Sequence, residues 1–216
     1  MERRTTINHR AKIRKDKEGK PRFISGYAAV FYREATPATE YVLYDDFIER
    51  IQPGTFSRAI KEGHDARALF NHNSEALLGR VANNTVKLTE DEIGLRFDIP
   101  VNMEDVDHQR VITKIQRGDL TGCSFAFSNA AATWEDRTDG AKTVSIRNIT
   151  DVDLHDVGPV TYPAYEATEV GLRTCVESRD ALIEARSALK THWQALESKR
   201  RSQAVDIDAR FSELVN

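Results

Sequence analysis

Residues 120–127 read LTGCSFAF, and this stretch does most to decide the kind of fold that the chain forms. Side chains alternate between the two faces of a β-strand, so Cys123, Phe125 and Phe127 share one apolar face and Ser124 lies on the other. The stretch therefore predicts a core strand whose second face carries small side chains. A serine there is open to an incoming peptide backbone, although an ordinary half-exposed strand serine is the commoner case.

Stretches rich in β-branched and aromatic residues flank this segment on both sides. They lie at residues 23–31, 68–72, 77–81, 85–88, 94–99, 143–149 and 152–160. Short runs of this kind, separated by polar turns, predict a mainly β domain. Two helices are expected among them, one starting near Pro53 and ending at Gly63, the other capped by Asn102 and ending at Gly118. A polar loop is predicted at residues 34–47 and a hairpin connection at residues 133–142.

The pattern changes near the C-terminus. Leu182, Leu189 and Leu196 recur every seven residues, which predicts a long helix with one apolar stripe. Three leucines do not distinguish a helix packed on its own domain from one that binds a partner. We therefore expect a basic N-terminal segment (1–22), a main domain (23–170) and a helical tail (171–216).

Charge is distributed unevenly along the 216 residues. The net charge is −3, but residues 1–22 carry +6, residues 23–175 carry −9, and residues 176–216 are neutral. Because phosphate contacts need basic faces, an acidic body makes a nucleic-acid-binding core unlikely. The basic N-terminus is expected to be a solvated or flexible end. The chain shows no secretory signal and no membrane-spanning run, and its two cysteines suit a reducing compartment.

Three further positions have side chains that could take part in catalysis. His72 ends a short apolar strand within a polar run, where a histidine can act as a general base, although a turn histidine is the commoner case. Asp156 shares a strand face with Val152 and Leu154, and a carboxylate on an apolar face needs a partner. It is a candidate to orient an imidazole, and His155 is the alternative if a bulge reverses the strand faces.

Six stretches in a fixed order resemble the prohead (capsid maturation) proteases of tailed bacteriophages, whose fold is similar to that of the herpesvirus assemblins. They are residues 26–31 (GYAAVF), 51–56 (IQPGTF), 69–73 (LFNHN), 78–80 (LGR), 118–127 (GDLTGCSFAF) and 156–165 (DVGPVTYPAY). The resemblance covers about residues 10–170. With the strand pattern, it leads us to expect a mainly β (α+β) fold, with a closed or partly closed β barrel surrounded by helices and a helical C-terminal tail.

The resemblance implies a serine endopeptidase with Ser124 as nucleophile, His72 as base and Asp156 as the third member, with His155 as its alternative. No cofactor or metal is expected. The sequence departs from the family pattern at three places, where it has Asn73, Ala126 and the pair Gly158-Pro159. Candidates for the oxyanion hole are backbone amides near Ser124 and, less favoured, Arg147.

The implied function is cleavage of capsid scaffold, and of the protease itself, during prohead maturation. The substrate would be a capsid protein or its scaffold domain, the setting the host cytoplasm inside the assembling prohead, and the assembly a homodimer. Three alternatives stay open at this point. They are an inactive β-barrel module that guides capsid assembly, a metal hydrolase that uses His72, His108 or His155, and a peptidase with Cys123 as nucleophile.

Overall fold

A computed structural model describes residues 1–6, 10–44, 47–140 and 142–162. All of them belong to a compact unit that spans Met1–Tyr165. The strands are β1 (Glu2–Thr6), β2 (Lys12–Lys15), β3 (Pro21–Val30), β4 (Tyr41–Tyr44), β5 (Phe47–Ile51), β6 (Arg67–Leu69), β7 (Leu77–Arg80), β8 (Lys87–Glu90), β9 (Gly94–Pro100), β10 (Gly122–Asp139) and β11 (Lys142–Val160). The α-helices are α1 (Ser57–Lys61) and α2 (Val106–Arg117). The helical tail predicted at 171–216 lies outside the described residues.

The strands form two sheets. The larger has the order β1-β10-β11-β5-β4, and β6 joins it by pairing with β11 and β7. The smaller has the order β2-β3-β9-β8 and is antiparallel throughout. In the larger sheet, β11 runs parallel to both β5 and β6, whereas the other pairs are antiparallel.

The expectation of a closed or partly closed barrel surrounded by helices is wrong. A barrel needs a continuous ring of paired strands, and within the described ranges the strands instead form two separate open sheets with only two α-helices. The sheets pack through their apolar faces. At Gly26 in β3 an added Cβ would collide with the Cys123 sulfur and the Phe97 ring, so glycine permits the close contact between the sheets.

The long β10–β11 hairpin dominates the larger sheet and corrects a second expectation. Residues 133–139 are paired strand and not a loop connection, with Thr133 opposite Asn148 and Thr138 opposite Thr143. Their polar sequence conceals the strand because an antiparallel ribbon can expose its surface to water. Register shifts interrupt the pairing between residues 126 and 132. Bulges of this kind bend a strand and increase its twist.

Helix positions differ from the predicted ones by a few residues. α2 is capped by Asp105, whose side chain accepts from the Asp107 and His108 amides, and not by Asn102. It ends at Gly118, which takes the left-handed conformation expected of a helix C-terminus. α1 starts at Ser57, because residues 53–56 form turns before the helix begins. No helix in the described part of the chain is long and apolar enough to span a bilayer.

The basic N-terminus is built into both sheets, contrary to the solvated or flexible end expected from its charge. β1 pairs with β10 over five residues, and β2 pairs with β3. The domain boundary predicted after residue 22 falls inside β3 (Pro21–Val30). Backbone pairing explains the difference, since a strand can join a sheet edge with few apolar side chains of its own.

Candidate active site

Ser124 lies near the start of β10, between Thr5 of β1 and Gly158 of β11 in the strand register. The residue is completely buried. Its neighbours Cys123 and Phe125 point into the core, as the strand pattern predicts. Ser124 itself therefore points to the opposite face, where its hydroxyl meets the His72 ring and the Arg4 carbonyl.

His72 follows β6 and reaches Ser124 because of an unusual backbone. Both Asn71 and His72 have left-handed φ angles, 56° and 55°. This conformation is uncommon outside glycine, although asparagine and histidine adopt it more readily than most residues. Asn71 is held on β11 and the residue after it: its amide donates to the Pro159 carbonyl (3.1 Å), and its side chain bonds twice with Thr161. The turn thus fixes the direction of the imidazole.

Asp156 lies on β11, opposite Ala126 of β10 and Arg67 of β6. Only 4% of the residue is exposed. Two positions further on, the β6 backbone passes directly against Gly158, where a Cβ would collide with the Leu69 carbonyl oxygen. Glycine at 158, one of the departures from the family pattern, is therefore what lets β6 and its histidine turn approach β11.

The three side chains form one series of contacts. His72 Nδ1 lies 2.5 Å from Asp156 Oδ1, and His72 Nε2 lies 2.7 Å from Ser124 Oγ. The contact between His72 and Ser124 has an ordinary hydrogen-bond length, and the contact between His72 and Asp156 is a short one. The carboxylate can hold the Nδ1–H tautomer, which leaves Nε2 facing the serine hydroxyl as an acceptor. Because the His72 side chain is only 10% exposed, water has little access to this series.

The other candidate residues lie in different surroundings. His155 is exposed, and its Nε2 contacts Ser128 Oγ at 2.6 Å. Arg147 donates to the Glu2 and Glu49 carboxylates. The structure thus brings Ser124, His72 and Asp156 together and places His155 on the far face of β11.

The environments of His108 and Cys123 indicate structural roles for both residues. His108 Nε2 bonds the Leu78 carbonyl (2.9 Å), and its Nδ1 accepts from the Asn102 amide (3.3 Å), so both ring nitrogens are used by the backbone. Complete burial raises the pKa of the Cys123 thiol to about 12, which disfavours the thiolate that a cysteine nucleophile needs. Within the described ranges, no group of three or more His, Cys, Asp or Glu side chains could hold a metal ion.

Two residues near the series were not singled out by sequence reasoning. The Arg4 carbonyl oxygen lies 2.7 Å from Ser124 Oγ, and the Arg4 guanidinium pairs with Glu49. Glu49 is completely buried within β5. The five-residue strand FIERI gives no local signal of its partners, which come from β1 and β11. Only the folded arrangement of the larger sheet brings these groups to Ser124.

A buried carboxylate, an imidazole and a serine hydroxyl in hydrogen-bond series are the arrangement by which serine hydrolases activate their nucleophile. The arrangement of these three side chains is therefore that of a serine hydrolase. The chain matches the family model of the caudovirus prohead serine protease over residues 9–181 and belongs to that family. It is therefore a serine protease of bacteriophage capsid maturation. No curated protein and no solved structure matches the chain.

Proposed function

We propose that Ser124, His72 and Asp156 are the catalytic residues of an endopeptidase that cleaves the scaffold portion of capsid proteins during prohead maturation. The observation that carries the proposal is the contact series from Asp156 through His72 to Ser124, 2.5 Å and 2.7 Å long, in a chain of this family. A serine hydroxyl is a weak nucleophile at its ordinary pKa and needs such a base.

In the first half of the reaction, Ser124 Oγ attacks the carbonyl carbon of the scissile peptide bond. Its proton passes to His72 Nε2, and Asp156 stabilises the resulting imidazolium through Nδ1–H. The tetrahedral intermediate then collapses, the C–N bond breaks, and the Nε2 proton is given to the leaving amine. The products of this half are a released amine fragment and an ester on Ser124.

In the second half, a water molecule gives a proton to His72 Nε2 and attacks the ester carbon. The bond to Ser124 Oγ breaks, Oγ recovers the proton from Nε2, and the new carboxylate leaves. Each intermediate carries an oxyanion that needs hydrogen-bond donors. Since the Arg147 guanidinium donates to two carboxylates, the backbone amides beside Ser124 are the better candidates.

The wider roles in the proposal rest on family membership. The enzyme acts in the host cytoplasm inside the assembling prohead, its protein substrate is a capsid protein or its scaffold domain, and the working form is a homodimer. Self-cleavage would remove the helical tail, which we place at residues 171–216. Residues 23–170 would hold the protease core, with the preceding basic segment contributing β1 and β2 to its sheets.

The test is serine-directed labelling combined with co-expression. Wild-type protein and Ser124→Ala are each treated with a fluorophosphonate probe and co-expressed with the scaffold-bearing capsid protein encoded by the same phage. The matched control is Ser128→Ala, which removes a hydroxyl from the same strand that also contacts a histidine. We expect labelling, scaffold cleavage and self-cleavage in wild type and in the control, and none of them in Ser124→Ala.

An inactive module that guides capsid assembly predicts a different result. It would leave both proteins intact in every sample, with no Ser124-dependent labelling. Intact-mass spectrometry of the protease distinguishes self-cleavage from cleavage of the substrate alone. If scaffold is cut while the protease keeps its full mass, the self-cleavage part of the proposal is wrong and the endopeptidase part stands.

A further inference from the structure

β1 covers the proposed nucleophile. It pairs antiparallel with β10, with Arg4 opposite Phe125 and Thr5 opposite Ser124. The Ser124 hydroxyl donates to the Arg4 carbonyl oxygen at 2.7 Å. A peptide strand thus already lies along the strand that carries Ser124, with one carbonyl at the nucleophile. An extended peptide that adds to a sheet edge is a common way for proteins to bind peptides.

The Arg4 side chain enters a charged recess. Its guanidinium pairs with the Glu49 carboxylate and lies 5.5 Å from the centre of the Phe127 ring. Glu49 also accepts from Arg147 at 2.8 Å, and Glu2 of β1 bonds both Arg4 and Arg147. Burial opposes ionisation of Glu2, but the Arg147 and Arg4 guanidiniums outweigh it and lower the pKa of Glu2.

Glu49 is the residue of this recess that favours a basic side chain at the Arg4 position. It is a completely buried carboxylate, and a buried charge is stable only when paired and hydrogen-bonded. If β1 leaves, Glu49 loses one of its two guanidinium partners and retains Arg147. A substrate strand with arginine or lysine at the Arg4 position would restore that contact, whereas a neutral side chain would leave the carboxylate with fewer donors.

The bound geometry of β1 is inhibitory. The Ser124 hydroxyl has one proton, and two acceptors lie 2.7 Å from its oxygen, so the Arg4 oxygen competes with His72 Nε2 for that proton. In a productive complex, the carbonyl carbon faces Oγ and the carbonyl oxygen faces separate donors. In this structure the Arg4 oxygen instead accepts from the nucleophile itself, so β1 occupies the site without being positioned for attack.

Building on the proposed peptidase function, we propose that the β10 edge at residues 123–127 binds the substrate as an added strand. Glu49 selects a basic residue on the amino side of the scissile bond, and β1 occupies the site until a substrate displaces it. The ligand class is an extended peptide with arginine or lysine where Arg4 now lies.

The first experiment loosens β1 in the full chain. Arg4→Gln removes the guanidinium from Glu49, and Arg3→Gln removes the neighbouring charge, which is exposed. Fluorophosphonate labelling of Ser124 should be about tenfold faster in Arg4→Gln, as expected for the loss of the charge-assisted hydrogen bond to Glu49, and within about twofold of wild type in Arg3→Gln. Equal labelling rates in all three proteins would overturn the covering role of β1.

The second experiment reads the preferred residue. A bacterial proteome is cut by a peptidase specific for acidic residues, so that arginine and lysine stay inside the fragments, and is then incubated with the protease. Mass spectrometry identifies the new C-termini that depend on Ser124. We expect arginine and lysine there, and at least a tenfold loss of that enrichment in Glu49→Gln. Glu135→Gln, which removes another carboxylate paired with a strand arginine, should keep it.

The outcomes separate the two proposals. Absence of both labelling and cleavage at Ser124 in every variant removes the peptidase function and this inference with it. Ser124-dependent cleavage without basic C-termini, or with an enrichment that Glu49→Gln leaves unchanged, overturns the role of Glu49 alone. If circular dichroism shows Glu49→Gln to be unfolded, the C-termini produced by Arg4→Gln decide: basic residues support the recess, and their absence overturns it.

Discussion

Two serines of β10 each contact a histidine at a similar distance. Ser124 contacts His72 at 2.7 Å, and Ser128 contacts His155 at 2.6 Å. The first pair is buried, and Asp156 contacts the other ring nitrogen of its histidine. The second pair is exposed, and among the described residues no carboxylate bonds to His155.

The difference shows that proximity of hydroxyl and imidazole does not define a nucleophile. In the buried pair, the carboxylate fixes the tautomer and can stabilise the imidazolium, and exclusion of water strengthens both effects. In the exposed pair, solvent competes for the same hydrogen bonds. One register shift in β10, between Ala126 and Phe127, lies between the two serines, so the strand changes its surroundings within four residues.

The largest expected effect comes from removing a member of the buried pair, and the matching substitutions in the exposed pair are the controls. Ser124→Ala or His72→Ala should lower kcat on a cleavable peptide by on the order of 10⁶-fold, because the nucleophile and its base act as a unit. Ser128→Ala and His155→Ala should stay within about twofold of wild type. Steady-state kinetics on purified variants measures both. A comparable loss in the Ser128 or His155 variants would show that the exposed pair also takes part.

The next effect concerns the carboxylate that distinguishes the pairs. Asp156→Asn keeps the size of the side chain but can favour the wrong imidazole tautomer, and kcat should fall about 10⁴-fold. Asp153→Asn is the control on the same strand, since Asp153 pairs with Arg58 and Asn129. It should change kcat less than about threefold. If Asp156→Asn keeps wild-type activity, the third role belongs to another group.

A smaller effect should follow from disturbing the approach of β6 to β11. Gly158→Ala places a methyl group against the Leu69 carbonyl oxygen, so β6 and the His72 turn must shift. We expect a loss of about 1–3 kcal/mol in the free energy of unfolding, together with reduced kcat. Gly19→Ala is the control, because open space surrounds its Cβ and only the left-handed backbone is strained. It should lower stability by about 1 kcal/mol at constant kcat.

The smallest effect is expected at Cys123, next to Ser124 on the same strand. Its thiol points into the core, and burial raises its pKa to about 12. Iodoacetamide at pH 8 should therefore leave native Cys123 unmodified and the activity unchanged, as peptide mapping and an activity assay would show. Inactivation that tracks alkylation of Cys123 would bring back a cysteine nucleophile.

Much of the local structure could be predicted because it depends on neighbouring residues. Gly118 ends α2 as its position indicates, and Phe125 and Phe127 face the core by strand alternation. The barrel could not be predicted correctly, because closure depends on which strand edges meet. The sequence places the hairpin connection at 133–142, whereas residues 133–139 are paired strand, because a solvent-exposed ribbon needs no apolar side chains.

The candidate site also has features that the sequence predicts and features that only the tertiary structure shows. The ordered resemblance to one protease family singles out Ser124 and His72, whereas strand position alone favours ordinary roles for both. The sequence leaves the third member open between Asp156 and His155, and in the fold only Asp156 lies against His72. The contacts within the site depend on the left-handed turn at His72 and on the close passage of β6 over Gly158.

The sequence by itself determined a mainly β chain, the protease family and the candidates Ser124 and His72, because alternation and motif order are local properties. It left Asp156 and His155 as alternatives for the third member. Only the tertiary structure decided that β1 covers Ser124 and that Arg4 meets Glu49. Those contacts join strands that are far apart in the chain, and a buried ion pair depends on where the bent β10–β11 hairpin brings its partners together.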